Sequence, residues 1–295
     1  MENIITKLER IISTEDNVVD LYAIFNSIDD FSYPIIRYYI EAGSFVLRQR
    51  INPDGEDIFQ VSELSYPPVL SCKGYGRANL PYHPMFYCCS FSSDSDAPIP
   101  RYITLLETSK FIKDTESIGI ERATCSRWDV IKRLDLLALP FSNKYERSTA
   151  DIEQIKTAWE KERNNAEINK DALQLIEYMS DEIAKNITDN KEYFKIANFV
   201  NYLLYNNKKT KNSDGIIFPS VAASGEGFNV VLKPESVDVK LKFGGASLCY
   251  LVKDGMKADL VVVNHSIGQN EDGTLIYEKE KDFDENKYNG ITFIN

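Results

Sequence analysis

Histidine is scarce in this chain of 295 residues, because His83 and His265 are the only two. Neither lies in a Cys/His pattern, which argues against a zinc site. No Ser-His-Asp triad is visible, and the sequence lacks both a Gly-x-Ser-x-Gly elbow and a P-loop. These absences disfavour a metal site, serine-type hydrolysis and P-loop nucleotide binding.

Long apolar runs are missing as well, since no stretch approaches the roughly 20 residues of a membrane span. The first residues lack the basic and apolar regions of a signal peptide. The five cysteines are odd in number and irregularly spaced, and a strand would turn the adjacent Cys88 and Cys89 to opposite faces. We therefore expect a cytoplasmic protein with reduced thiols and no membrane association.

Positive charge is in deficit, because 34 Lys and Arg stand against 45 Asp and Glu, a net charge of −11. Broad nucleic-acid binding needs a basic face, so direct contact with nucleic acid is not expected. A basic partner is compatible with this charge, although solubility alone explains it equally well. The length allows one large domain or two small ones.

In the first third of the chain, apolar spacing predicts helices over residues 1 to about 40. Alternation predicts a strand over 44–51, and a compact aromatic run predicts a second strand over 84–90. Between these strands, 52–82 is rich in Pro, Gly, Ser and Asp, which predicts a long ordered loop over a site. A second loop is predicted over 90–100.

Further along, the pattern becomes helical and then returns to strands. Helices are predicted over 152–166, which is charged and expected to be exposed, and over 173–187 and 194–204. The acidic last stretch of about 25 residues predicts a hairpin or a loose tail. The expected architecture is α+β, a mixed sheet with a helical insertion and N-terminal helices. Its later strands are predicted over 229–232, 237–243, 248–252 and 260–263.

Two short segments place polar side chains beside Gly or Pro: Gly76-Arg77-Ala78-Asn79 and Asp214-Gly-Ile-Ile-Phe-Pro-Ser220. Such turns expose backbone N–H groups and direct side chains towards a shared cleft. With Arg48, Tyr87 and Glu107 they form a set suited to holding a phosphate-bearing, sugar-containing ligand.

Each of these side chains also has a structural alternative, which the sequence leaves open. Ser220 has no visible base, so hydrogen bonding to a ligand hydroxyl or carboxamide is favoured over nucleophilic attack. For the others the alternatives are a surface arginine (Arg48), a loop salt bridge (Arg77), a core tyrosine (Tyr87) and a solvent-edge carboxylate (Glu107).

An ordered set of motifs spans roughly residues 44–243. It comprises Phe45-Val-Leu-Arg48-Gln-Arg50-Ile-Asn, Pro67-Pro68, Gly76-Arg-Ala-Asn79, Met85-Phe-Tyr87, Glu107, Asp214-Gly-Ile-Ile-Phe-Pro-Ser220 and Gly227-Phe-Asn229-Val-Val-Leu. The set resembles the RES-domain family, named for an Arg, a Glu and a Ser that would here be Arg48, Glu107 and Ser220. Phe218 departs from the resemblance, because many members have Tyr there, and the 90–100 insert separates Tyr87 from Glu107.

The resemblance implies a fold like that of ADP-ribosyltransferases and a toxin of a toxin–antitoxin pair. Members destroy NAD by hydrolysis or phosphorolysis of the nicotinamide–ribose bond, and no metal is needed. The implied partner is a helix-turn-helix, Xre-like antitoxin that plugs the active site. Two alternatives are a mono-ADP-ribosyltransferase that modifies a protein and a catalytically silent binding protein of the same fold. The presence of all three namesake residues argues against silence.

The resemblance also implies a role for each residue in binding NAD as substrate. Glu107 would hydrogen-bond the nicotinamide ribose and stabilise its developing positive charge. Arg48 and Arg77 would hold the pyrophosphate, Tyr87 would pack on the nicotinamide, Ser220 and Asn229 would orient the ribose or carboxamide, and Asn79 would complete the NAD-binding set.

The implied domain organisation has three parts: an N-terminal helical segment (1–40), the RES domain (41–265) and an acidic C-terminal extension (266–295). The two outer parts lie outside the core of the resemblance. Antitoxin binding, gating of the site and a subunit interface in a homo-oligomer are the roles open to them.

Overall fold

The computed structural model describes residues 3–12, 14, 17–52, 56–90, 100–139, 149–165, 167–187, 189–288 and 291–293. Ten strands over these residues form one sheet in the order β1-β5-β6-β7-β3-β2-β4-β8-β9-β10. Neighbouring strands are antiparallel except for the parallel pair β5–β6. The strands are β1 (Ile36–Ile40), β2 (Phe45–Ile51), β3 (Phe86–Ser90), β4 (Ile118–Val130), β5 (Leu134–Ala138), β6 (Gly215–Pro219), β7 (Phe228–Leu232), β8 (Leu241–Asp254), β9 (Lys257–Gln269) and β10 (Leu275–Lys279).

Helices surround this sheet, which confirms the expected combination of helices with a mixed sheet. None in the described ranges has the length and apolar composition of a membrane span. A π-helical turn, Tyr202–Asn206, follows the eighth helix directly. The α-helices are α1 (Ile4–Arg10), α2 (Val18–Asn26), α3 (Val61–Leu64), α4 (Pro100–Thr108), α5 (Lys110–Lys113), α6 (Ala150–Arg163), α7 (Lys170–Ile183), α8 (Phe194–Asn201) and α9 (Pro234–Lys240), with 3-10 turns at Asp30–Ser32, Val69–Ser71, Asn190–Tyr193 and Glu285–Tyr288.

The strands β5, β6 and β7 lie between two hydrophobic cores. Every residue of β6 and β7 is buried, because helices cover both faces of this half of the sheet. Alternate side chains serve the two cores: Leu137, Ile216 and Val231 pack with α1, α2, α7 and α8 on one face, and Leu136, Ile217 and Val230 pack with α6 and α9 on the other.

The neighbouring strands β2 and β3 separate partway along their length. They pair only at Val46–Ser90 and Leu47–Cys89. Beyond Leu47, β2 continues along β4, while β3 stays paired with β7. Helix α4 packs against both strands beside this split. The gap therefore lies between two strands that are each held by another neighbour.

Most of the secondary structure predicted for the first 90 residues is present in the fold. The strands predicted over 44–51 and 84–90 are confirmed as β2 and β3. The N-terminal helical prediction holds for α1 and α2, but Ile36–Ile40 form the edge strand β1, in which Ile and Tyr residues suit a half-buried pleated surface. The 52–82 segment is mainly loop, interrupted by α3 and one 3-10 turn.

The strand predicted over 237–243 is wrong for its first part. Pro234 opens α9 and Glu235 lies in its first turn, two features that favour a helix start, and β8 begins only at Leu241. The exposed helix predicted over 152–166 forms as α6, but it buries one face. That face consists of Ile152, Ile155 and Trp159 at helical spacing.

The acidic last stretch of about 25 residues contributes only the second strand of a hairpin, β10, and the 3-10 turn Glu285–Tyr288 is the only regular element described after it. β10 pairs with β9, and β9 runs across the domain boundary expected between residues 265 and 266. Apart from Ser90 and Pro100, the loop predicted over 90–100 lies outside the described residues.

Candidate functional site

The gap between β2 and β3 opens into a cavity of about 390 Å³. Asn79 and Ser220 are buried behind its wall, and each is hydrogen-bonded to a residue that lines it. The structure therefore brings together all seven residues singled out in the sequence. The five that line the cavity are Arg48, Arg77, Tyr87, Glu107 and Asn229.

Glu107 lies in the last turn of α4, where the helix dipole disfavours a negative charge. Three donors compensate by converging on its Oε1 atom: Ser220 Oγ at 2.6 Å, Asn229 Nδ2 at 2.8 Å and the backbone N–H of Ala222 at 3.2 Å. Its other oxygen, Oε2, has no hydrogen-bond partner among the described residues. One carboxylate oxygen is thus anchored, while the other is left for a ligand in the cavity.

Ser220 is fully buried at the end of β6, which excludes direct contact with a ligand in this conformation. Its hydroxyl donates to Glu107 and accepts from the backbone N–H of Ala223 at 3.1 Å. A serine nucleophile needs a base that takes its proton, and here its hydrogen bond leads to the carboxylate that it orients. The geometry therefore fits a positioning role for Ser220.

Tyr87 is held by its hydroxyl in a compact clamp. The hydroxyl donates to Asn79 Oδ1 at 2.8 Å and accepts from the backbone N–H of Ala78 at 3.0 Å. A Cβ atom on Gly76 would lie 2.2 Å from Asn79 Oδ1, so only glycine allows this approach. Burial raises the pKa of Tyr87, which keeps the phenol neutral. Its ring is a fixed wall of the cavity.

Arg48 extends from β2 at the point where the two strands part. Its Nη1 donates to the backbone carbonyl of Tyr87 at 2.7 Å, and its guanidinium lies 5.2 Å from the centre of the Phe86 ring. Burial and the neighbouring Arg50 lower the pKa of Arg48 to about 10, so it stays cationic near neutral pH. Its Nε is buried without a partner in the described part of the chain.

Arg77 has a structural task that the sequence did not reveal. Its Nη1 donates to the carbonyl oxygens of Ile183 at 2.6 Å and Lys185 at 2.7 Å, at the C-terminal end of α7. A cation is favourable there because it satisfies free carbonyls and complements the helix dipole. The guanidinium also lies 5.1 Å from the centre of the Tyr193 ring, which lines the cavity. Arg77 therefore braces one wall of the site.

Lys113 is a cavity residue that sequence reasoning missed. It ends α5, the short helix that follows α4, and lines the same cavity as Arg48 and Glu107. No ion pair or hydrogen bond joins its ammonium to another described residue. In the sequence it is one lysine in a charged stretch, and the only available signal was its position six residues after Glu107.

Comparison of the chain with models of known protein families finds no match, and comparison with curated proteins finds none either. The resemblance to the RES-domain family therefore stays a prediction. Among the described residues, no group of three or more His, Cys, Asp or Glu side chains is arranged to hold a metal ion.

Proposed function

We propose that the protein is an enzyme that cleaves the nicotinamide–ribose bond of NAD. The observation that carries the proposal is the hydrogen bonding of Glu107, which lines the cavity. Three donors hold its Oε1 atom, and its Oε2 atom has no hydrogen-bond partner among the described residues. A fixed carboxylate in a partly enclosed cleft can stabilise a positive charge that develops on a sugar.

In this reaction the bond between nicotinamide and C1′ of the ribose breaks, and its electron pair leaves with the nicotinamide. The ribose becomes an oxocarbenium-like cation, against which Glu107 Oε2 provides negative charge and a hydrogen-bond acceptor for a ribose hydroxyl. Water or phosphate then bonds to C1′, and an attacking water releases a proton. Because the sugar charge is greatest in the transition state, Glu107 acts mainly on kcat.

The other cavity residues fit the remainder of the dinucleotide. Arg48 offers a positive charge for the pyrophosphate, and Lys113 offers a second cation. The clamped ring of Tyr87 suits stacking on the nicotinamide. Asn229 is held by Glu107 through its amide nitrogen and accepts a weak bond from the Cys89 thiol, so it acts with Glu107 as one unit.

We further propose that the fold is of the ADP-ribosyltransferase-like type and that the protein acts in the cytoplasm as a RES-type toxin neutralised by a helix-turn-helix antitoxin. The order of the motifs supports this, together with the assembly of Arg48, Glu107 and Ser220 around one cleft. Transfer of the ADP-ribosyl group to a protein uses the same first half-reaction and differs only in the acceptor.

The test is nicotinamide release from NAD by the purified protein, with and without phosphate. Glu107→Gln keeps the shape of the side chain but removes its charge, and we expect release to fall by about 10²–10³-fold. Glu116→Gln, on an exposed turn, is the matched control and should be unchanged. Stable NAD with the wild-type protein, or equal turnover by folded Glu107→Gln, contradicts the proposal.

A further inference from the structure

A second cavity, of about 620 Å³, lies on the opposite side of α4 over β2, β4, β8 and β9. We propose that it binds a small organic anion with an apolar body, of the aromatic or medium-chain carboxylate class. This site is separate from the NAD cleft, and the proposal does not depend on the reaction proposed there.

The floor of this cavity is a stretch of sheet with little side-chain volume. The pairing of β4 with β8 shifts between Arg127 and Trp128, so that Gly244 is the extra residue of a β-bulge. Gly244 and Gly245 both line the cavity, and the Ser266 hydroxyl accepts the next backbone N–H, that of Ala246, at 2.7 Å. The Asp129 carboxylate occupies the space over Gly244, with Oδ2 2.8 Å from where a Cβ would lie, so the hollow that flat or narrow groups can enter lies over Gly245, where a Cβ would meet Ser266 Oγ at 3.4 Å.

The walls of the cavity are apolar. Leu47 and Leu105 face it from β2 and α4, and Phe45 and Leu260 complete the apolar lining. A volume of this size is in the range of about 300–1,000 Å³ that is typical of small-molecule sites. The apolar body of the ligand would therefore replace water over these side chains.

The charge of the lining is opposite to that of the whole chain. Two arginines, Arg101 and Arg127, line the cavity in a chain with a net charge of −11, and the Asp129 carboxylate lies against Gly244 at its edge. The Arg127 guanidinium lies 4.1 Å from the centre of the Phe45 ring, and its Nε donates a hydrogen bond to Asp129 Oδ1 at 2.7 Å.

Arg101 differs from Arg127, because no carboxylate in the described part of the chain lies within ion-pair distance of it. It lies next to the buried thiol of Cys125 on the cavity floor, where its charge and hydrogen bond oppose the rise in pKa that burial gives this thiol. A guanidinium that has no carboxylate partner among the described residues and lies beside an apolar cavity is suited to a carboxylate.

The experiment is calorimetric titration of the full-length protein with 1-naphthoate and with its neutral, equally shaped amide, 1-naphthamide. We expect one site for the carboxylate and at least tenfold weaker binding of the amide. Arg101→Ala should reduce the affinity for the carboxylate about tenfold and leave the amide unchanged. Arg133→Ala is the matched control, because Arg133 stacks on Tyr39 far from this cavity, and it should bind like the wild type.

A second variant keeps the proposal testable if Arg101→Ala alters the fold. Ser247→Leu places a larger side chain in the cavity and should abolish binding of both compounds, with the circular dichroism spectrum unchanged. Absence of binding to the wild type, equal affinity for carboxylate and amide, or unchanged binding by folded Ser247→Leu overturns the proposal. None of these outcomes depends on whether the protein turns over NAD.

Discussion

The two halves of the sheet differ in what surrounds them. The half formed by β5, β6, β7 and β3 is enclosed by helices, and β6 and β7 are buried at every position. At the other end of the sheet, β8, β9 and β10 form a three-stranded antiparallel meander with many exposed positions. The candidate site lies between these two regions, where β3 separates from β2: β3 and β7 supply Tyr87 and Asn229, whereas β2 and α5 supply Arg48 and Lys113. The hydrogen-bonded side chains of Tyr87 and Asn229 and the two cations therefore come from different parts of the molecule.

The largest effect that tests this comparison is on stability. Ile216→Ala removes a fully buried side chain from β6, and we expect a loss of about 2–5 kcal/mol in the free energy of unfolding. Ile276→Ala on β10, where the side chain is 43% exposed, should change it by only about 0.5 kcal/mol. Urea denaturation of both variants measures the difference, and similar losses would show that the two halves are equally packed.

The next effect tests how rigidly the enclosed side holds the site. Gly76→Ala forces a Cβ atom against Asn79 and the Tyr87 hydroxyl, which we expect to cost about 1–3 kcal/mol of stability and to lower NAD turnover. Gly268→Ala on β9 is the control, since a Cβ there meets nothing within 4 Å. Thermal unfolding and nicotinamide release report the two consequences separately. Normal turnover by Gly76→Ala would mean that the clamp does not matter to the site.

The smallest effect concerns the positive charge of Lys113 on α5. Lys113→Ala removes one cation from the cavity, and loss of one charge-assisted contact is expected to raise KM for NAD about tenfold with little change in kcat. Lys110→Ala, on the same short helix but absent from the cavity lining, should leave KM unchanged. Equal kinetics in both variants would remove Lys113 from the proposed pyrophosphate site.

The sequence predicts those parts of this molecule that are governed by local patterns. Alternation located β2, an aromatic run located β3, and the glycines around Arg77 marked the turn that holds Tyr87. It could not predict that Arg77 binds the carbonyls at the end of α7, because that contact joins residues more than 100 positions apart. It also did not predict β4 and β5, whose places are set by pairing with β2, β8, β1 and β6.

Glu107 shows the same limit within the site itself. Its segment, Tyr102–Glu107, is apolar enough to suggest burial, but only the fold shows that it is a helix with the carboxylate turned towards three donors. Lys113 carried no distinctive local signal. Lys113 stands out only because it lines the cavity and its ammonium has no ion-pair partner among the described residues. Both are properties of the tertiary structure.

The distance along the chain between Glu107 and its donors has a consequence for folding during synthesis. Ser220, Ala222 and Asn229 follow Glu107 by 113, 115 and 122 residues. A growing chain on the ribosome therefore carries Glu107 for most of its remaining synthesis before any of these groups exists. Contacts of such sequence separation form late, because loop closure must precede them. The three donors to Glu107 can therefore assemble only after Asn229 has been synthesised, so the candidate site forms late in translation.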